Sequence, residues 1–191
     1  LIGALAGLLV TLPLYTGFDL QTAAMQFVEF KSWIPRFNVN YHLGVDGISM
    51  PFVILNSFIT VTVVLAGWQV IGNKVAQYNA GFLIMSGLLN GIFSALDGVL
   101  FYVFFEASLI PLYLIIGVWG GPNRVYAAFK FFLFTLFGSL LFLIALLYLF
   151  VTSGGSFSIL DWQQMPIGQT AQTWLFLAFL VAFAVKVPMW P

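Results

Sequence analysis

The sequence predicts an all-α, polytopic bundle of transmembrane helices. Composition is the first reason. Of 191 residues, 62% are hydrophobic, 18% aromatic and only 6% charged. Soluble domains carry roughly a quarter charged residues, so this chain cannot clothe a water-facing surface. The mean hydropathy of +1.06 agrees. The second reason is the grouping of apolar residues into six blocks, most of them long enough to cross a bilayer as helices. The third is what lipid demands of a backbone: each segment must satisfy its own hydrogen bonds. No alternating pattern of about ten residues recurs, so helices rather than a β-barrel are expected.

The six blocks run over residues 1–15, 48–71, 80–96, 98–119, 125–151 and 172–191. Block 1–15 imitates the apolar part of a signal peptide but lacks its basic leading region; a truncated spanning helix is expected instead. The chain starts at Leu1 inside this apolar run and stops at Pro191 inside another. Residues 1–191 are therefore expected to be a fragment of a longer protein, forming a single transmembrane domain. Asp46 precedes the second block, where a carboxylate suits the N-terminus of a helix. Asp97-Gly98 separates the third and fourth blocks and suits a sharp turn. Thr135, Gly138 and Ser139 give the fifth block small or weakly polar positions that favour close helix packing.

Two connections are long. Segment 16–46 carries Asp19, Glu29, Lys31, Arg36, His42 and Asp46, and segment 152–171 is rich in Gly and Ser and contains Asp161. Alternation places 16–46, the Asp97 turn and 152–171 on one membrane face. The opposite face receives Lys74 and Arg124 without acids, which assigns it to the cytoplasm and 16–46 to the periplasm. Trp33, Trp68, Trp119, Trp162 and Trp174 fall near block ends, as an interfacial belt would. The 22 phenylalanines read as lipid-facing and packing residues.

Several function classes drop out. Six basic residues balance six acidic ones, so no basic field draws nucleic acid. Without cysteine there is no disulfide, thiolate metal site or iron–sulfur ligation. His42 alone builds no metal site. No phosphate-binding glycine loop or catalytic triad is present. The chain itself is expected to hold no cofactor, and its surroundings are the lipid bilayer.

Three charges remain at membrane depth: Glu106, Lys130 and Lys186. A carboxylate near the centre of a spanning helix costs roughly 2.5–3.5 kcal/mol on insertion scales, so an intramembrane acid marks a functional site by default. Glu106 sits about 12 Å from the near surface, and Lys186 about 21 Å from the same face, at 1.5 Å per residue. Lys130 is shallower and enters from the other side, where a lysine can snorkel. Desolvation disfavours the charged form of an acid or an amine, and pairing favours it. A pair that forms and breaks can thus take up and release a proton. The alternative is a static ion pair tying two helices. Pro111 lies five residues after Glu106, and Pro188 and Pro191 follow Lys186. A proline removes a backbone donor, and in transporters such broken helices line polar cavities.

These residues bring a family into view. Tyr41-His42-Leu43-Gly44-Val45-Asp46-Gly47-Ile48-Ser49, Phe104-Phe105-Glu106-Ala107-Ser108-Leu109-Ile110-Pro111-Leu112-Tyr113, Gly117-Val118-Trp119-Gly120, Lys130-Phe131-Phe132 and Ala184-Val185-Lys186-Val187-Pro188-Met189-Trp190-Pro191 resemble the antiporter-like subunit M (chain 4) family of proton-translocating NADH:quinone oxidoreductase, respiratory complex I. The resemblance implies an inverted-repeat fold of about fourteen helices, of which this chain would hold the second to seventh. It implies that Glu106 and Lys186 form a pair modulating proton transfer, with Lys130 a second-rank contributor. NADH, FMN, iron–sulfur clusters and quinone would lie elsewhere in the complex. The partners would be other membrane-arm subunits, paralogous antiporter-like ones included, in a bacterial inner (plasma) membrane. Many members carry Trp-Glu where this chain has Phe105-Glu106, an exchange of one aromatic for another. A subunit of a multisubunit cation/proton antiporter and a non-transporting scaffold are the alternatives.

Overall fold

The computed structural model describes residues 1–189. Its elements, in order, are α1 (Ile2–Thr16), β1 (Gln26–Ile34), a 3-10 turn (Pro35–Phe37), β2 (Val39–Val45), α2 (Ser49–Val70), α3 (Val75–Ser94), α4 (Gly98–Ala107), α5 (Leu109–Trp119), α6 (Arg124–Thr152), α7 (Ile159–Gln163) and α8 (Gln169–Lys186). Every apolar block becomes helix, within a few residues of the expected ends. Ser49–Val70, Gly98–Trp119, Arg124–Thr152 and Gln169–Lys186 are long and apolar enough to cross a membrane. The expected sixth block is described only as far as Met189; Pro191 lies outside the described residues.

α3 is as long as these helices but more polar, and its polar residues face α2. Asn56 Nδ2 donates to Asn90 Oδ1 at 2.7 Å and to Ser86 O at 2.9 Å, and Thr60 Oγ1 donates to Ser86 Oγ at 2.9 Å. Hydrogen bonds of this kind join helices where lipid offers no competing partner. α1 packs on the other side of α2 through Ala4, Val61 and Val64. α5 lies along α6, and α6 along α8.

The long connections hold structure that hydropathy did not reveal. Segment 16–46 contains an antiparallel hairpin, β1 with β2, pairing Glu29 with Leu43 and Lys31 with Tyr41. Asn38 closes it in the left-handed region at φ 53°, which a short polar side chain tolerates. Segment 152–171 contains α7. Both dock on the Asp97 turn, so the three connections assigned to one face do meet there.

Asp97 is the junction. Its Oδ1 accepts the N–H groups of Val99 and Leu100, capping α4, and its Oδ2 accepts the N–H of Asn40 from β2. The neighbouring backbone completes the joint: Leu96 N–H donates to His42 O, Gly98 N–H to Phe157 O and Ile159 N–H to Leu96 O. The side chain is 1% exposed. Burial raises its carboxyl above the ordinary value, against the pull of the Asn40, Leu100 and Val99 donors. Gly98 is required here because a Cβ would strike the Trp162 ring. Trp162 is thereby a packing residue as well as a helix-end aromatic; its indole N–H donates to Ser156 O at 2.9 Å.

Asp46 caps the turn that leads into α2, three residues before the first residue of that helix. Its Oδ1 accepts from Ile48 and Ser49 N–H, while its own N–H donates to Ser49 Oγ, a reciprocal arrangement of the capping-box kind.

Asp97→Ala is expected to remove the cap at a cost of about 1–2 kcal/mol and to orphan the Asn40 N–H. Proteolysis of the assembled full-length protein should then cut the 16–46 hairpin faster, with Asp97→Asn intermediate. A second expectation concerns pH. The Ser49 N–H, with Ile48 N–H and the Ser49 hydroxyl, holds the Asp46 carboxyl below its ordinary 3.8. That stabilisation is present above 3.8 and is lost as pH falls through the lowered folded-state value. Hydrogen exchange at Ile48 and Ser49 should show the loss, and Asp46→Asn should abolish its pH dependence.

Candidate functional site

The site grows from the Asp97 cap. α4 starts there, so Glu106 falls nine residues along, about 13 Å into the helix at 1.5 Å per residue. The helix then breaks directly after the acid. α4 ends at Ala107, Ser108 forms a turn and α5 starts at Leu109. Pro111 supplies no N–H, so the Ala107 carbonyl has no helical donor four residues on. Ser108 Oγ turns back to donate to Phe105 O at 2.7 Å. The break expected from Pro111 is present.

The second half arrives on α8. Gly138 of α6 lets α8 come close: a Cβ there would stand 3.0 Å from Val185 Cβ. Thr135 and Ser139 flank this contact and are buried. Val185 precedes Lys186, the last residue of α8. The helix ends as expected just before Pro188.

Lys186 and Glu106 are brought into one neighbourhood, but the lysine does not sit on the carboxylate. Its Nζ donates to the backbone carbonyl of Phe105 at 3.1 Å and stands 4.0 Å from the centroid of the Phe105 ring. A cation over a ring face gains about 0.5–2 kcal/mol. The ammonium is therefore held by the residue next to Glu106. Glu106 Oε1 is buried and has no hydrogen-bond partner among the described residues. Leaving such an oxygen unpaired costs about 1–3 kcal/mol, a cost that calls for a functional explanation. The Ser139 hydroxyl and Tyr102 lie near the carboxylate, yet Ser139 gives its proton to Leu136 O at 2.8 Å.

Lys130 is not part of this constellation. It lies on an exposed face of α6 and makes no hydrogen bond among the described residues. His42 packs edge-on against Phe30 at 5.2 Å, and no cluster of metal-ligating side chains occurs among the described residues.

Sequence reasoning missed Phe105, Tyr102 and Ser108. Phe105 is buried in a stack with Phe101 and Phe142 and lies edge-on to Phe183. Its position beside the acid was the available signal, but it was read as interchangeable packing. Tyr102 lies one helical turn before Glu106, a spacing that puts both on one face.

The sequence and the fold have counterparts. Residues 95–191 match the family described as NADH:quinone oxidoreductase/Mrp antiporter, TM. The chain belongs to this family. Residues 8–94 match NADH-ubiquinone oxidoreductase chain 4, amino terminus. NADH-quinone oxidoreductase subunit M of Rhodobacter capsulatus is 46% identical, over 96% of this chain and 38% of the relative. The respiratory complex I of Thermus thermophilus contains a chain that superimposes with a TM-score of 0.84 at 35% identity, over 98% of this chain and 38% of that one. A chain of the Mrp complex from Dietzia sp. DQ12-45-1b reaches the same TM-score of 0.84 at 19% identity, over 96% of this chain and 20% of that one; that likeness shows the fold alone. The chain thus spans under two-fifths of the length of these relatives. The motif resemblance is borne out, and so is the antiporter-like, multi-pass membrane fold that it implied.

Gly138→Val is expected to push α8 off α6 and to destabilise by about 1–3 kcal/mol, the usual cost of overpacking. Thermal unfolding of the detergent-solubilised full-length protein reads this, with Gly138→Ala showing a smaller loss.

Proposed function

We propose that this chain is part of an antiporter-like membrane-arm subunit of NADH:quinone oxidoreductase, subunit M, and contributes to proton translocation coupled to quinone reduction. In this reading residues 1–191 belong to one transmembrane domain in a bacterial inner membrane, with 16–46 on the periplasmic side. NADH, FMN, iron–sulfur clusters and quinone belong to other subunits. Its partners are the neighbouring membrane-arm subunits, paralogous antiporter-like ones among them.

One observation carries the reading: a buried, unpaired carboxylate oxygen of Glu106 beside a helix break, with the Lys186 ammonium on the adjacent Phe105 carbonyl. In this reading, a change of Lys186 rotamer takes the ammonium from the Phe105 carbonyl to the Glu106 carboxylate. On the carboxylate, both charges are stabilised; on the carbonyl, Glu106 loses that partner. Switching between the two moves a proton. The Phe105 ring retains the ammonium in the carbonyl-bound arrangement. Lys130, on the outer face of α6, is assigned a secondary polar role.

A cation/proton antiporter subunit is the second reading, supported by the family description, which sets the Mrp antiporter beside NADH:quinone oxidoreductase. The higher identity to the complex I chain, 35% against 19%, favours the first.

Glu106→Gln in the full-length protein within its complex tests the assignment in proteoliposomes. NADH-driven proton uptake and quinone reduction are expected to fall about tenfold or more with assembly intact, as for loss of a positioned proton-transfer group. An assembled complex that pumps normally would leave Glu106 a structural acid. Phe105→Leu is expected to give a smaller loss, and Phe105→Trp to retain activity.

A further inference from the structure

Glu106 has polar neighbours on α4 and α6 as well as on α8. Tyr102 and Glu106 lie one turn apart on α4, a spacing that sets both on one face. The Tyr102 ring lies nearly parallel to Phe142 of α6, at 8° with 6.0 Å between centroids. Phe142 follows Ser139 by three residues, so ring and hydroxyl share a face of α6. Ser139 is 1% exposed, and its hydroxyl faces both Tyr102 and Glu106.

Hydrogen-bond accounting makes this contact more than packing. Glu106 Oε1 is buried without a partner among the described residues. The Ser139 hydroxyl donates to Leu136 O at 2.8 Å, within its own helix. A hydroxyl has one proton and two lone pairs and rotates to suit its neighbours, so Ser139 Oγ keeps acceptor capacity toward α4. A protonated Glu106 can donate to that oxygen. A charged Glu106 needs a donor instead, at a depth where lipid offers none.

We propose that Ser139 is a two-position hydroxyl which, backed by Tyr102, partners Glu106 while the Lys186 ammonium is on the Phe105 carbonyl. When Glu106 is protonated, its O–H donates to Ser139 Oγ and the Ser139 proton stays on Leu136 O, where the structure has it. When Glu106 is charged, the Ser139 hydroxyl turns to donate to the carboxylate, and the Tyr102 O–H donates to Ser139 Oγ. No proton leaves Ser139 or Tyr102; each O–H only changes its acceptor. Both are positioning residues. Lys186 is the charged group that faces Glu106 from α8, and the hydroxyls stand in for it without adding charge. The use of this pairing in pumping rests on the reading of Glu106 as a proton-carrying group; the pairing itself does not.

Dicyclohexylcarbodiimide adds only to a protonated carboxyl, so its addition to Glu106 reads how well the charged form is held. The full-length complex in membranes is treated at an alkaline pH that slows wild-type labelling well below its acid plateau. Added mass is read on the peptide carrying Glu106, and Glu106→Gln sets the blank. Tyr102→Phe removes the O–H and keeps the ring on Phe142. It is expected to label severalfold faster than wild type, and Ser139→Ala about tenfold faster, the scale of one hydrogen bond to a charged group. The double variant should match Ser139→Ala, because Tyr102 acts through Ser139. Equal rates at the acid plateau separate protonation from access. NADH-driven proton uptake in proteoliposomes is expected to fall in the same order. Unchanged labelling in either single variant would overturn the proposal, as would effects that multiply in the double variant. Tyr102→Phe decides alone where Ser139→Ala does not assemble. The two readings fail separately. Normal pumping by Glu106→Gln with faster Tyr102→Phe labelling removes the relay and keeps the hydroxyl pairing. Lost pumping by Glu106→Gln with unchanged Tyr102→Phe labelling removes the pairing and keeps the relay.

Discussion

The Asp97 carboxylate is the constraint from which the rest of the molecule is hung. One side chain accepts three backbone N–H groups, two from the start of α4 and one from β2. The peptide groups on either side pair with the hairpin and with the segment before α7. Three connections far apart in sequence are thereby locked at one end of the bundle. Such a joint is needed where it lies, because a helix start leaves N–H groups unsatisfied and burial removes water as a partner. Fixing the first residue of α4 also fixes the depth of everything on it, and Glu106 inherits its position from this cap.

The functional neighbourhood depends on a second constraint, the close approach of α6 and α8 at Gly138 and Val185. Helices in lipid gain little from burying apolar surface against each other, so small residues and tight packing decide which faces meet. Because Val185 precedes Lys186, this contact aims the ammonium at α4. The aromatic stack of Phe101, Phe105 and Phe142 then supplies a rigid wall. A flexible lysine chain pressed on such a wall has few places to put its charge: a ring face, a carbonyl freed near a helix break, or a carboxylate one residue away.

The break after Glu106 ties these features to chemistry. An unbroken helix would leave no carbonyl free beside the acid. Pro111 interrupts the hydrogen-bond ladder and Ser108 turns its hydroxyl back onto Phe105 O, so polar groups gather at a depth where lipid provides none. A charge can be accommodated there in more than one arrangement, and that multiplicity is what a proton-moving device needs.

Hydropathy alone determined the apolar helices, because the cost of exposing backbone or charge to lipid leaves few alternatives. The same cost singled out Glu106 and Lys186 as unusual, and the missing N–H of Pro111 located the break. The motifs in 41–49, 104–113 and 184–191 were specific enough to place the family. The hairpin was invisible, because β1 is exposed along nearly its whole length and so shows no alternation of buried and exposed residues. Phe105 was hidden among 22 phenylalanines, since nothing in a side chain's identity says which ring will face a cation. Lys130 looked comparable to Lys186 in sequence, and only helix rotation set it on an outer face. The partner of Lys186 could be decided only in three dimensions: its acceptor is a backbone carbonyl, which every residue carries, and a sequence records side chains rather than which carbonyl a fold brings within reach of an ammonium.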